Sequence, residues 1–181
     1  MQKIVDILDG MRSTTIDNYV LAGLSSSLIG QEGFGSVRLF EKEAHQRDFI
    51  TPHSHRFDFA CLVLDGSVIN HIWLETDDEQ EDKFSKSKLI YRGEIGSHAK
   101  CFDRTGFYYS SDYAYGSGDA YSMKHDEIHS ITFSKGAKVL FFEGPQVSDQ
   151  SVIIEPVISG KIIPTYSVSD WMFNPRKQDI V

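Results

Sequence analysis

Three histidines carry the chemistry that this chain offers most plainly. His53 and His55 stand one residue apart in "TPHSHRFDFACLVLDG", residues 51–66, and His129 opens "HSITFS" after "KHDEI". Side chains alternate between faces along an extended strand, so His53 and His55 share a face with Phe57, Phe59, Cys61 and Val63. Two imidazoles at the open end of an apolar face are a start to a metal site, since imidazole suits iron, zinc, copper and nickel. His129, with Ile131 and Phe133 on its own parity, supplies the third ligand if its strand lies beside the first. The bland alternatives are a solvated strand end for the pair and a turn-closing residue for His129.

Around these three stand secondary candidates. His125 precedes His129 by four residues, a spacing that aligns ligands only on a helix, and "KHDEIH" is too short and sits between strands. It is expected at the entrance or behind a ligand. His71 shares the parity of Ile69 and Trp73 and is expected to face inward, within reach of a substrate or a ligand histidine. Acid or base help would come from His71, His125 or a tyrosine such as Tyr121. Asp58 has the opposite parity and points away from the cavity unless a bulge shifts the register. Arg38 and Arg56 are candidate anchors for a substrate carboxylate, which a guanidinium grips with two hydrogen bonds, against the plainer reading of surface charge. Cys61, Trp73 and Tyr109, with Phe57, Phe59 and Phe107, read as cavity lining or core.

These residues need strands to position them. From Ser36 onward, runs rich in β-branched and aromatic residues follow one another, separated by turn signals: "SVRLFEKE", "FDFACLVL", "SVINHIWLE", "KSKLIYRGEI", "AKCFDR", "TGFYYSSDYAY", "AYSMK", "HSITFS", "KVLFFEG" and "SVIIEPVI". Short strands at such spacing, without long helices between them, predict an all-β sandwich or barrel. Asp65-Gly66 in "LDGSV" reads as a hairpin turn, and "SKGAK", residues 134–138, as a second. The charged "TDDEQEDKFSKSK", residues 76–88, reads as a solvated loop. Before the strands, Ile4, Ile7, Leu8 and Met11 fall at helical spacing, and "TTIDNYVLAGLSSSLIG" repeats it with Ile16, Tyr19, Val20, Gly23, Leu24 and Leu28. Two short N-terminal helices are expected. The organisation is then a helical segment over 1–35 packed on the barrel, the barrel over 36–160, and a tail over 161–181 that packs Trp171 and Phe173 onto it.

Composition narrows the field. With 181 residues, one domain is expected. No apolar stretch approaches the roughly 18–20 residues that span a bilayer, so no membrane partner is expected. The N-terminus carries Asp6, Asp9 and Asp17 where a secretory signal would be apolar, so a cytoplasmic location is expected. The net charge of -8, with scattered cations, makes nucleic acid a poor partner. Cys61 and Cys101 form neither a disulfide framework nor a close-spaced zinc pair.

At "HSHRFDFACLVLDG" and "KHDEIH" the sequence resembles the cupin superfamily, over roughly residues 36–145. The first cupin motif reads G, five residues, H-x-H, three or four residues, E, six residues, G; the second reads P-x-G, two residues, H, three residues, N. His53, His55 and Gly66 fall on the first motif and His129 on the second, with Lys124 and Asp126 where its proline and glycine would stand. The metal-ligand glutamate is missing, and Phe59 holds its inward place. The resemblance implies a double-stranded β-helix, the cupin jelly-roll barrel, with metal ligands His53, His55 and His129. It looks like the three-histidine variant typical of thiol dioxygenases, which implies iron(II), with zinc, nickel and manganese as alternatives, and a small thiol as substrate. Some thiol dioxygenases cross-link a cysteine near the metal to a tyrosine, which for Cys61 offers Tyr109, Tyr113, Tyr115 and Tyr121. A homodimer is a further implication of the resemblance. Two other functions stay open: a non-catalytic small-molecule-binding cupin, and a metal-dependent isomerase or hydrolase of a sugar or small acid.

Overall fold

The computed structural model describes residues 2–19, 23–32, 35–43, 50–91, 98–158 and 161–162. Helix α1 (Gln2–Asp9) is followed by β1 (Thr14–Ile16), β2 (Leu24–Glu32), β3 (Gly35–Lys42), β4 (Phe57–Asp65), β5 (Ser67–Thr76) and β6 (Asp82–Tyr91). Then come β7 (His98–Gly116), β8 (Ala120–Met123), β9 (His129–Phe133), β10 (Lys138–Gln146), β11 (Gln150–Ile158) and β12 (Lys161–Ile162). They form two six-stranded sheets, β1-β2-β3-β10-β4-β8 and β12-β11-β6-β7-β5-β9, with every pairing antiparallel. This is a jelly-roll barrel of the cupin type. No helix among the described residues is long and apolar enough to cross a membrane.

Asp65-Gly66 does not make the expected hairpin. β4 lies in the first sheet and β5 in the second, so the chain turns a corner from one layer to the other. "SKGAK" does the same between β9 and β10. The corners meet: Ser67 N–H donates to Ser134 Oγ at 2.9 Å, and Ser134 N–H to Ser67 O at 2.9 Å. Gly66 has φ 67°, and a Cβ there would lie 2.8 Å from Ser134 Oγ and 2.9 Å from Ala137 Cα. Only glycine meets both demands without strain.

The N-terminal region corrects a second expectation. Residues 2–9 are helical, but the second predicted helix is replaced by β1 and β2, which pair with each other, and β2 pairs in turn with β3. Serine hydroxyls compete with the helix ladder, and here those of Ser26 and Ser27 bond Arg38 Nη1 at 3.3 Å and Thr15 Oγ1 at 2.9 Å. Asn18, at φ 53°, turns the chain into β2 and accepts the Gly23 N–H on its side chain. The expected charged loop is also shorter than predicted: β6 starts at Asp82, and Phe84 and Ser85 within it are buried. The two predicted strands over 99–115 are one continuous β7. Of the expected tail over 161–181, residues 161–162 form β12, and 163–181, with Trp171 and Phe173, lie outside the described residues.

Two of the apolar clusters involve the first sheet. Leu8 of α1 packs with Ile29, Leu39, Leu64 and Leu140 on the outer face of the first sheet. The larger core lies between the sheets and includes Phe57, Phe59, Cys61, Val63, Val68 and Phe133. Each such side chain, fully buried, contributes roughly 1.5–3 kcal/mol.

Candidate metal centre

Residues 51–54 form a stitch between β9 and β11. His53 N–H donates to His129 O and His129 N–H to His53 O, both at 2.9 Å. On the other side Ser54 N–H reaches Val152 O at 2.8 Å, and Ile154 N–H reaches Pro52 O at 3.0 Å. The backbone of His53 is therefore fixed from both flanks and lies directly against that of His129. His55 follows two residues later on the same face, just before β4 begins.

The three side chains converge. Their ligand nitrogens lie within 4.8 Å of one another, and His55 Nε2 stands 2.9 Å from His129 Nε2. Two nitrogens each about 2.1 Å from a common cation at a right angle stand about 3 Å apart, so this pair already has a ligand spacing. His53 Nδ1 donates to Thr51 O at 2.8 Å, and His129 Nδ1 donates to Asn70 Oδ1 at 2.8 Å. Those bonds fix the proton on Nδ1 and leave Nε2 with its lone pair, as a ligand needs. Asn70 is itself held by Met123 Sδ, 3.2 Å from its Nδ2.

Burial disfavours the protonated form of each ring. It lowers His53 to about 4, and it takes His55 and His129 well below the ordinary histidine value, with neighbouring histidines adding to the effect. All three are neutral at neutral pH. Phe59 closes the side where a carboxylate ligand would stand, its ring centroid 4.7 Å from that of His55 and 5.4 Å from that of His129. The donor set thus fits a divalent transition metal held by three neutral nitrogens.

The cluster faces a cavity of about 90 Å³ inside the barrel, room for a few waters or a small molecule. Its wall is mostly apolar, with Phe40, Phe57, Phe133 and Phe141 prominent. Arg38, Cys61 and Tyr121, all singled out from the sequence, line it. Burial pushes the Cys61 thiol up to about 12 and Tyr121 well above its ordinary value, so both keep their protons. Cys61 stands directly opposite Tyr121 in the β4–β8 pairing, and its thiol and the Tyr121 hydroxyl are close enough to act on each other.

Other candidates lie elsewhere. The corner at Gly66 shifts parity by one, so Val68 and Asn70 face inward while His71 and Trp73 face the other way. His71 bonds Asp112 Oδ1 at 2.7 Å through Nδ1 and Thr132 Oγ1 at 2.9 Å through Nε2, away from the cavity. Trp73 packs on Phe84 and donates to Ser130 Oγ at 3.0 Å, in a separate small core with Tyr108. Tyr109 is exposed beside Leu74, because its neighbour Tyr108 takes the buried face. Arg56 lies over the Tyr91 ring, 4.2 Å from its centroid, and not on the cavity wall.

Neither Asp58 nor His125 joins the histidine cluster. The Asp58 carboxylate accepts from Lys124 Nζ at 2.8 Å, from His125 N–H at 2.8 Å and from His125 Nδ1 at 3.0 Å. Those bonds, Lys124 foremost, hold it well below the usual carboxylate range.

Sequence reasoning missed four contributors. Asn70 and Thr51 orient the ligands; Glu143 and Tyr19 line the cavity. Glu143 was within reach, since Val139, Phe141 and Glu143 alternate inward along β10. Tyr19 was hidden by the helical reading of its segment. Its hydroxyl is pushed up to about 12 by burial, with Arg38 lowering and Glu143 raising it, which places both charges close by.

The two sheets, their meeting corners and three inward histidines define a cupin-type barrel with a candidate metal centre. No protein-family model matches the chain, and no curated protein matches it. Among solved structures it is similar to a cupin superfamily protein from Desulfitobacterium hafniense DCB-2, with 14% identity over 68% of this chain and 78% of that one and a TM-score of 0.39. It is similar as well to hydroxypropylphosphonic acid epoxidase from S. wedmorenis, at 11% identity over 72% of this chain and 54% of that one, TM-score 0.45. KdgF from Halomonas sp. matches at 14% identity over 74% and 90%, TM-score 0.41. The chain spans about half the length of the epoxidase. At such identities and scores these likenesses carry no residue role to this chain.

Proposed function

We propose that this chain is a metal-dependent dioxygenase of the cupin type, whose three histidines hold iron(II) and whose cavity takes a small thiol. The observation that carries the reading is the all-nitrogen cluster without a carboxylate, facing an apolar cavity with Arg38 and Glu143 on its wall. Held by His53, His55 and His129, all neutral, iron(II) would keep its positive charge and would supply redox and Lewis-acid chemistry.

The chain's own residues do the rest. Thr51 and Asn70 hold the protons of His53 and His129 on Nδ1, so each Nε2 is presented as a lone pair. Cys61 stays a thiol and does not compete with a substrate thiolate. Arg38 gives one N–H to Ser26 and keeps others for a substrate carboxylate. Glu143 accepts from Ser36 Oγ at 2.6 Å through one oxygen, and its other oxygen suits a substrate amine or hydroxyl. Among the described residues Arg38 and Glu143 are not ion-paired, so both charges remain for a ligand. Phe57, Phe59 and Phe141 exclude water around the rings.

The test is oxygen uptake by iron-loaded protein across a panel of small thiols, with and without a carboxylate and an amine. Thiol-dependent uptake that is lost in His53→Ala supports the reading; no uptake with any thiol overturns it. A second reading, a cupin that binds a small acid without turnover, is favoured by the modest size of the cavity. It predicts a ligand that raises the melting temperature and is recovered unchanged.

A further inference from the structure

We propose that Asp58 is a positioning residue for the metal centre: its carboxylate clamps the turn at 124–128 and thereby sets His129 against His55. Asp58 lies three residues after His55, and His125 lies four before His129, so the clamp joins the segments that carry two of the three ligands. It has three arms, from Lys124 Nζ, His125 N–H and His125 Nδ1, all within 3.0 Å. A fourth bond runs beside it, from His55 N–H to His125 O at 2.9 Å, which ties the backbone of one ligand to the turn that delivers the other.

The turn has few other supports. Glu127 Oε2 accepts Lys124 N–H at 2.6 Å, and Trp73 N–H donates to Ile128 O at 2.8 Å. The Glu127 bond closes the turn upon itself and does not anchor it to the barrel. Among side chains of the described residues, Asp58 is the one that fastens residues 124 and 125 to β4. The segment 51–54 holds the His129 backbone, but the approach of its ring to His55 depends on how the preceding turn enters. A charge-assisted bond to a backbone N–H is among the stronger and more directional kinds, so it fixes the entry angle. Lys124 is solvent-exposed, and its arm contributes charge more than geometry.

The inference rests on the metal-centre reading, and the test separates the two. Co(II) is titrated into wild type, Asp58→Ala, Asp58→Asn, Lys124→Ala and His53→Ala, with affinity and the visible absorption bands recorded and folding checked by circular dichroism. Wild type is expected to bind Co(II) and His53→Ala to lose it, which reports on the centre itself. Asp58→Ala is expected to bind about 10–100-fold more weakly, as loss of groups that orient ligands does, with altered band positions. Asp58→Asn, which keeps an oxygen for the His125 N–H, falls between wild type and Asp58→Ala, and Lys124→Ala stays within about twofold. A change in the bands is a signature that general loss of stability would not produce. Wild-type affinity and bands in a folded Asp58→Ala, or in Asp58→Asn should the alanine variant not fold, overturn the positioning role while leaving the centre intact. If neither variant folds, the clamp supports the barrel as a whole and the role is likewise overturned.

Discussion

Inside the barrel, His53 and His129 give their Nδ1 protons to neutral oxygens, Thr51 O and Asn70 Oδ1; outside it, His71 and His125 stand against the carboxylates of Asp112 and Asp58. The two environments use one side chain for opposite ends. Outside, His71 has both nitrogens engaged, since Nε2 meets Thr132, and so it joins three strands of the second sheet as a cross-tie. Inside, one nitrogen of each ring is oriented by the protein and the other is turned toward its neighbours, where desolvation keeps it unprotonated. A histidine's company therefore separates ligand from tie better than its place in the sequence, and four changes test that contrast.

The largest effect is expected from His129→Ala. Removing one of three ligands should reduce transition-metal content from about one per chain to near background, read by metal analysis after purification without chelator. Next comes Asn70→Ala, which leaves all three rings but frees the His129 tautomer; metal affinity should fall about 10–100-fold, measured by competition with a chelating dye. Unchanged affinity would mean that the Asn70 bond is packing and not orientation.

Acid should act on the inner group. His53 has a folded value of about 4 against an ordinary 6.5, so between those pH values the unfolded chain binds a proton that the folded chain refuses. The sign follows: the metal-free protein is most stable above pH 6.5 and loses stability as pH falls toward 4. At about 1.4 kcal/mol per pH unit, the loss from this ring is about 3 kcal/mol. Urea melts of the metal-free protein at pH 7, 5.5 and 4 measure it, and a His53→Leu variant should show a shallower dependence. The smallest effect belongs to His71→Ala: metal affinity within about twofold and stability lower by about 1 kcal/mol, as for the loss of ordinary side-chain hydrogen bonds, read from the same two assays.

Much of this could be read from the chain. Strand periodicity placed His53 and His55, which precede β4, and His129, which opens β9, on the inward face, because burial on one face forces alternation and leaves little freedom. The same logic failed at β5. An Asp-Gly turn looks alike in sequence whether the chain folds back in one sheet or crosses to the other, and the crossing at Gly66 moved Asn70, not His71, onto the inner face. The segment 14–30 misled for a related reason: apolar residues at helical spacing do not reveal an open strand edge, and β3 offered one to β2. Asp58 illustrates a further limit. Its outward parity was legible, but its bonds to Lys124 and His125 join residues 66 and 67 positions apart in the chain, and no local pattern encodes them.

Three neutral imidazoles, and no carboxylate, are proposed to hold the metal. X-ray absorption of the metal-loaded wild type counts imidazole ligands directly. Three histidine nitrogens at about 2.0–2.1 Å are expected. Two or fewer, or a sulfur neighbour from Cys61, would contradict this ligand set.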